Sequence, residues 1–197
     1  MGKGCLQKVS PVQHVRAEVK SAFVSMRLLG SIANRRRMTL VIREISKDMR
    51  ILDLGCGDGW YVNELRRAGY AIVGIDPNLP TGSGEHLLSR SAYETGFGDH
   101  VFDCILCLDT IEHLHPKVYD EIKRISRNHG KLIVTTPRKR WNWLIELLSS
   151  LHLSDPLVTP HINLVEPHDL PFVLLKSGSF MWIEWWGVYE VTGRSFG

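Results

Sequence analysis

Three glycines alternate with other residues in Gly55-Cys56-Gly57-Asp58-Gly59, where the apolar run Ile51-Leu52-Asp53-Leu54 gives way to a helical pattern that starts at Trp60. Glycines at this spacing give a strand-to-helix turn the φ freedom and the missing side chains that let backbone N–H groups approach a ligand closely. Taken alone, the loop serves a plain turn or a dinucleotide site equally well. Two neighbours narrow this. The dinucleotide fingerprint GxGxxG needs its third glycine where Trp60 stands. Asp53, at the end of the strand, would repel a pyrophosphate but suits a ligand bearing an ammonium group.

A second carboxylate, Asp76, closes the next apolar run, Val73-Gly74-Ile75-Asp76, 21 positions after Gly55. At the carboxyl edge of a neighbouring strand, such a group can accept from both hydroxyls of a ribose. A nucleoside with an ammonium-bearing tail and no phosphate fits this pair, and S-adenosylmethionine is such a molecule. Further along, Glu112, His113 and His115 follow another apolar run, at an edge where an acceptor would meet a transferable group. His113 is the first candidate general base, and His161, in Thr159-Pro160-His161-Ile162-Asn163-Leu164, the second. Cys104 and Cys107 form a CxxC inside Phe102-Asp103-Cys104-Ile105-Leu106-Cys107-Leu108. Strand alternation sends positions three apart to opposite faces, so buried thiols are expected and no metal site.

The elements that must position these residues are legible as alternation. Short apolar strands at Ile51 to Leu54, Ala71 to Ile75, Val101 to Leu108 and Lys131 to Thr135 are separated by helical stretches near Trp60 to Ala68, Pro116 to Arg127 and Trp141 to Leu151. This order predicts an α/β fold with a doubly wound, mostly parallel Rossmann-like sheet and helices on both faces. A later helix opened by Pro167 and stopped by Gly178 is expected to lead to a strand over Phe180 to Trp186. Towards the amino end, one helix is expected from Ser10-Pro11 to about Leu29. A second carries Arg35-Arg36-Arg37 with Met38, Val41, Ile42 and Ile45.

With 197 residues the chain fits one domain with a short appendage. The net charge of +3 hides an asymmetry. Residues 1–50 hold 11 Lys/Arg against 3 Asp/Glu, so +8, and the rest holds 13 against 18, so −5. The expected division is a basic helical segment over 1–48, acting as a lid, and a catalytic domain over 49–197. The charge is compatible with a solvated helix face or with an anionic partner. No apolar window is long enough for a membrane span and no secretory signal is visible, so a cytoplasmic protein is expected. Trp141 and Trp143 follow Arg138-Lys139-Arg140, and such a helix either packs on the sheet or lies at a membrane interface. With the basic segment, it leaves peripheral association with an anionic membrane open, and oligomeric state is not legible.

These motifs in this order resemble those of class I S-adenosylmethionine-dependent methyltransferases. Ile51 to Gly59 is similar to motif I and Val73 to Asp76 to motif II. Phe102-Asp103 through Asp109-Thr110-Ile111-Glu112-His113-Leu114 resembles the fourth-strand motif, and Glu121 to Ile125 with Gly130 to Val134 the helix and strand that follow. Within the class the chain most resembles the small-molecule branch that includes quinone-biosynthesis methyltransferases (type 11). The resemblance implies S-adenosylmethionine as cofactor, S-adenosylhomocysteine as product and a small-molecule acceptor. It assigns cofactor contacts to Asp53, Gly55, Cys56, Gly57, Gly59, Asp76, Pro77, Ser91, Ala92, Leu108 and Asp109. Ser91 stands where the branch commonly has Asp. Leu108-Asp109-Thr110-Ile111 replaces the Asn/Asp-Pro-Pro-aromatic tetrapeptide of enzymes that methylate exocyclic amino groups of bases, which argues against that reaction. Only eleven residues follow Trp186, so the final antiparallel strand is expected to be abbreviated or absent.

Overall fold

The computed structural model describes residues 32–80, 82–139, 165–180 and 184–192. Helix α1 spans residues 32–44. It is followed by β1 (Arg50–Leu54), α2 (Trp60–Arg67), β2 (Ala71–Ile75), β3 (Leu87–Leu88), β4 (Phe102–Leu108), a 3₁₀ turn (Ile111–His113), α3 (Val118–Ile125), β5 (Ser126–Pro137), β6 (Val173–Phe180) and β7 (Glu184–Val191). The strands form one sheet in the order β3-β2-β1-β4-β5-β7-β6. The first five are parallel, and β7 runs antiparallel to both β5 and β6. The chain order reverses between β1 and β4, and open α/β sheets bind ligands beyond the strand ends at such a point.

Period-2 alternation along the central strands builds two cores. Leu52, Leu54, Ile105, Cys107, Leu132 and Val134 face one side, with Ile122 and Ile125 of α3 and with Trp185 and Tyr189. Ile51, Ile72, Cys104, Leu106 and Ile133 face the other, with Val62 and Leu65 of α2 and Leu40, Val41 and Ile45 of α1. Helices therefore cover both faces, as the alternation predicts. Cys104 and Cys107 are fully buried on opposite sides. Burial pushes the Cys104 thiol up to about 12 and that of Cys107 well above its ordinary value. Among the described residues no group of His, Cys, Asp and Glu could hold a metal ion. No helix among them is long and apolar enough to cross a membrane.

The carboxyl end departs from expectation. Residues 167–172 turn, and Val173 to Phe180 pair with β7 as a strand, where a helix was expected up to Gly178 and a strand only from Phe180. Ser177, Gly178 and Ser179 are weak helix formers, so pairing with a neighbour decides the outcome. Gly178 lies opposite Trp186, and a Cβ there would come within 2.6 Å of its indole ring. The last strand is not abbreviated either. Eight residues, Glu184 to Val191, pair with β5 from Gly130 to Pro137. Trp185 and Tyr189 anchor it, donating to the carbonyls of Val165 and Pro167 at 2.8 and 2.9 Å. The helix expected up to Leu29, the Trp141 helix and His161 lie outside the described residues.

Candidate active site

The turn after β1 is built by a chain of local constraints. The Gly55 and Cys56 N–H groups both donate to the Ile75 carbonyl, at 2.8 and 3.0 Å, which fixes the loop to the end of β2. Gly55 takes φ +81°, and a Cβ there would collide with the Thr110 side chain, whose hydroxyl donates to the Gly55 carbonyl at 3.2 Å. Gly57, at φ +54°, faces open space: a Cβ there would meet nothing within 4 Å. Gly59 sits at the entrance of α2 with φ +81°.

The loop borders a cleft of about 370 Å³ lined by Asn34, Asp53, Gly55, Cys56, Gly57, Asp58, Trp60, Tyr61, Leu108 and Asp109. Of the residues assigned to the cofactor from sequence, Asp53, Gly55, Cys56, Gly57, Leu108 and Asp109 line it together. Asp76 stands at the next strand end and accepts the Gly57 N–H at 3.2 Å and that of Asn78 at 2.8 Å. Neither Asp76 nor Gly59, Pro77, Ser91, Ala92 and His113 line the cleft itself. Ser91 is exposed and its hydroxyl accepts the Tyr93 N–H, Ala92 is buried in the core, and Pro77 is exposed. His113 is half-buried at the end of the 3₁₀ turn that begins two residues after Asp109.

Asp53 is 1% exposed, and its Oδ2 has no hydrogen-bond partner. Desolvation, reinforced by the Asp76 charge, pushes its carboxyl up to about 7. Glu112 is equally buried, its Oε2 is also unpartnered, and burial with the nearby Asp109 charge pushes it up to about 8. A buried acceptor without a donor is costly, and one at the wall of a cleft is a place for a ligand cation. Asn34, Tyr61, Arg37 and Glu184 were not singled out from sequence. Asn34 lies on α1 and its Oδ1 accepts the Tyr61 hydroxyl at 3.3 Å. The signal for it was helical spacing, since Asn34, Arg37 and Val41 share one face of α1 and Val41 is fully buried.

A family model described as a methyltransferase domain matches residues 29–178. The chain belongs to the methyltransferase domain family. Its fold is that of the class I, S-adenosylmethionine-dependent members. The chain is 23% identical over 172 residues to a Rickettsia bellii ubiquinone biosynthesis O-methyltransferase, covering 78% of this chain and 70% of the relative. It is 34% identical over 99 residues to an uncharacterised Methanocaldococcus jannaschii protein, covering 49% of this chain, and spans only 44% of that relative's length. A Bacillus subtilis protein named for 23S rRNA guanine-N1 methylation is 31% identical over 121 residues, 54% of this chain and 39% of its own. A Pyrococcus horikoshii crystal structure superposes with a TM-score of 0.61 at 20% identity, over 81% of this chain and 91% of its own. A Burkholderia thailandensis 1,6-didemethyltoxoflavin-N1-methyltransferase, solved with S-adenosylhomocysteine, gives 0.57 at 16% identity over 96% and 93%.

Proposed function

We propose that this methyltransferase domain transfers a methyl group from S-adenosylmethionine to a small-molecule acceptor, with Asp53, Gly55, Gly57 and Asp76 holding the cofactor. The unpartnered Asp53 Oδ2 fits the cofactor's ammonium, the Asp76 carboxylate fits ribose hydroxyls, and the open space at Gly57 leaves room for a ligand against the backbone. When bound, the cofactor supplies an electrophilic methyl on a leaving group already in place. What the chain has to do is bind, orient and exclude water, and orientation alone is worth roughly 7–11 kcal/mol. His113, beside the cleft, is the proposed base for an acceptor that must lose a proton. His113→Gln should then lower kcat by about 10²-fold or more while leaving S-adenosylhomocysteine affinity unchanged.

The observation that carries a small-molecule acceptor is the chemistry of the end of β4. Leu108 stands where base-amino enzymes present an Asn or Asp to an amine, and the carboxylate next to it, Asp109, is already engaged, pairing with Arg37 at 2.5 Å and accepting the Thr135 hydroxyl at 3.1 Å. The greater reach of the quinone-pathway relative, 78% of this chain against 54% for the rRNA-named one, supports the same reading. A second reading, a methyltransferase-fold protein that binds the cofactor without turnover, would rest on an abbreviated carboxyl end and on Ser91; the eight-residue pairing of β7 removes the first of these, and Ser91 is exposed away from the cleft. The test is incubation with methyl-labelled S-adenosylmethionine and two acceptor pools, hydroxylated aromatic small molecules and ribosomal RNA. Label is expected in the organic extract, and label confined to RNA would overturn the reading.

Asp76→Ala is expected to weaken cofactor binding by about 2 kcal/mol, roughly thirtyfold, through loss of hydrogen bonds to a charged acceptor. Calorimetric titration with S-adenosylhomocysteine measures it, and an unchanged dissociation constant in a folded variant would take Asp76 out of the site.

A further inference from the structure

Of the three consecutive arginines on α1, Arg35 and Arg36 are exposed and Arg37 is drawn inward, with its side chain 15% exposed. Its guanidinium joins elements far apart in the chain. Nη2 lies 2.5 Å from Asp109 at the end of β4. Nε and Nη2 donate to the two carboxylate oxygens of Glu184 at the start of β7, at 2.6 and 2.8 Å. Nη1 donates to Asn34 at 3.1 Å. Every nitrogen of the planar fork is used, in the bidentate geometry that lysine cannot reproduce.

Two of these partners, Asn34 and Asp109, line the cleft. Asp109 holds φ +50°, in the left-handed region that Asp enters more readily than most non-glycine residues. Glu184 is 8% exposed, and the buried Glu112 feels the charges of Asp109 and Arg37. If α1 lifted away, carboxylates at the end of β4 and the start of β7 would lose their shared cation and repel one another. The other end of α1 is tied differently, by the Lys176 ammonium on the Glu44 carboxylate at 2.8 Å and by Lys131 on the Glu44 carbonyl at 2.8 Å. The Lys176 side chain is 58% exposed, so its bridge is screened by water.

We propose that Arg37 is a positioning residue for methyl transfer, clasping Asp109 and Glu184 so that α1, with Asn34, is fixed as a wall of the cofactor cleft. Docking of α1 and binding of cofactor are then one coupled equilibrium, and each strengthens the other by the same factor. The proposal rests on the cofactor reading above.

The experiment is calorimetric titration of the full chain with S-adenosylhomocysteine, alongside hydrogen exchange of the α1 amides. Arg37→Ala is expected to bind at least about tenfold more weakly, and millimolar guanidinium, but not equal sodium chloride, to recover much of the loss. Arg37→Lys keeps the charge and stem without the fork, should bind more weakly than wild type, and serves if the alanine variant does not fold. Lys176→Ala, at the exposed end of the same helix, should keep wild-type affinity. The ligand should slow exchange across α1 in the wild type and not in the Arg37 variants. Wild-type affinity in the Arg37 variants would overturn the proposal, as would an equal loss in Lys176→Ala or no recovery by guanidinium. A wild-type chain that does not bind S-adenosylhomocysteine at all would instead defeat the cofactor reading, and this proposal with it.

Discussion

Gly57→Val is expected to abolish cofactor binding in a domain that remains folded. The structure separates this glycine from its neighbour two residues upstream. A Cβ at Gly57 meets no protein atom within 4 Å, so a side chain there collides with nothing in the fold and enters open space beside the loop. The cost to folding is the left-handed φ of +54°, which a β-branched residue tolerates poorly, on the order of 1–3 kcal/mol. A Cβ at Gly55 runs into Thr110, whose hydroxyl ties the loop to the end of β4, so Gly55→Val should unfold or badly destabilise the domain. The pair makes a control. Circular dichroism and thermal melting should show a cooperative transition for Gly57→Val, lowered by some degrees, while titration with S-adenosylhomocysteine shows no heat of binding. Native affinity in Gly57→Val would mean that the loop does not hold the cofactor.

The fold was legible wherever a strand is buried on both faces. Ile72 to Ile75 and Cys104 to Leu108 form continuous apolar runs because helices cover both sides of them, and β5 was visible in its buried half, Lys131 to Thr135, but not at its polar start from Ser126. β3, two residues long, is too short to have a period. β6 was misread as a helix for a related reason. It is one edge of the sheet, exposed along most of its length, so burial imposes no alternation on Val173 to Phe180, and Pro167 and Gly178 read as helix punctuation. What makes it a strand is the ladder with β7, a partner that local patterning cannot show.

The same distinction divides the site. The glycine loop is contiguous, so its place at the strand-to-helix turn, and that of Asp53, Gly55 and Gly57 along the cleft, could be read directly. Arg37 could not. Its partner Glu184 is 147 positions away, and an arginine in a run of three looks like a solvated face until the helix is docked. Glu112 was visible only as a residue beside His113. Nothing in Thr110-Ile111-Glu112 announces that the short turn buries the carboxylate as deeply as Asp53.

Near neutral pH those two buried carboxyls make stability fall as pH rises, the reverse of what a carboxylate held low, such as Glu121, does in acid. A carboxyl held up at about 7, as Asp53 is, keeps its proton in the folded state across the range from about 4 to 7, where the unfolded chain has lost it. The folded state therefore binds more protons there, and stability falls as pH rises through this window and levels off above it. Glu112 acts in the same direction and extends the decline to about 8. Without ligand, the melting temperature should drop between about pH 6 and pH 8.5, and Asp53→Asn should flatten part of that slope and stabilise the domain at the alkaline end. Binding should respond in the opposite way. An ammonium placed against Asp53 favours the carboxylate, so at about pH 6.5 S-adenosylhomocysteine should expel most of a proton and at about pH 8.5 almost none from this group. Titrations in two buffers of different ionisation enthalpy count those protons. Removing one partner of a desolvated charge pair costs about 3–5 kcal/mol. Asp53→Asn should accordingly bind some hundredfold or more weakly and release no proton, becoming more stable while losing its ligand. Proton release that persists unchanged in Asp53→Asn would place the ammonium elsewhere in the cleft.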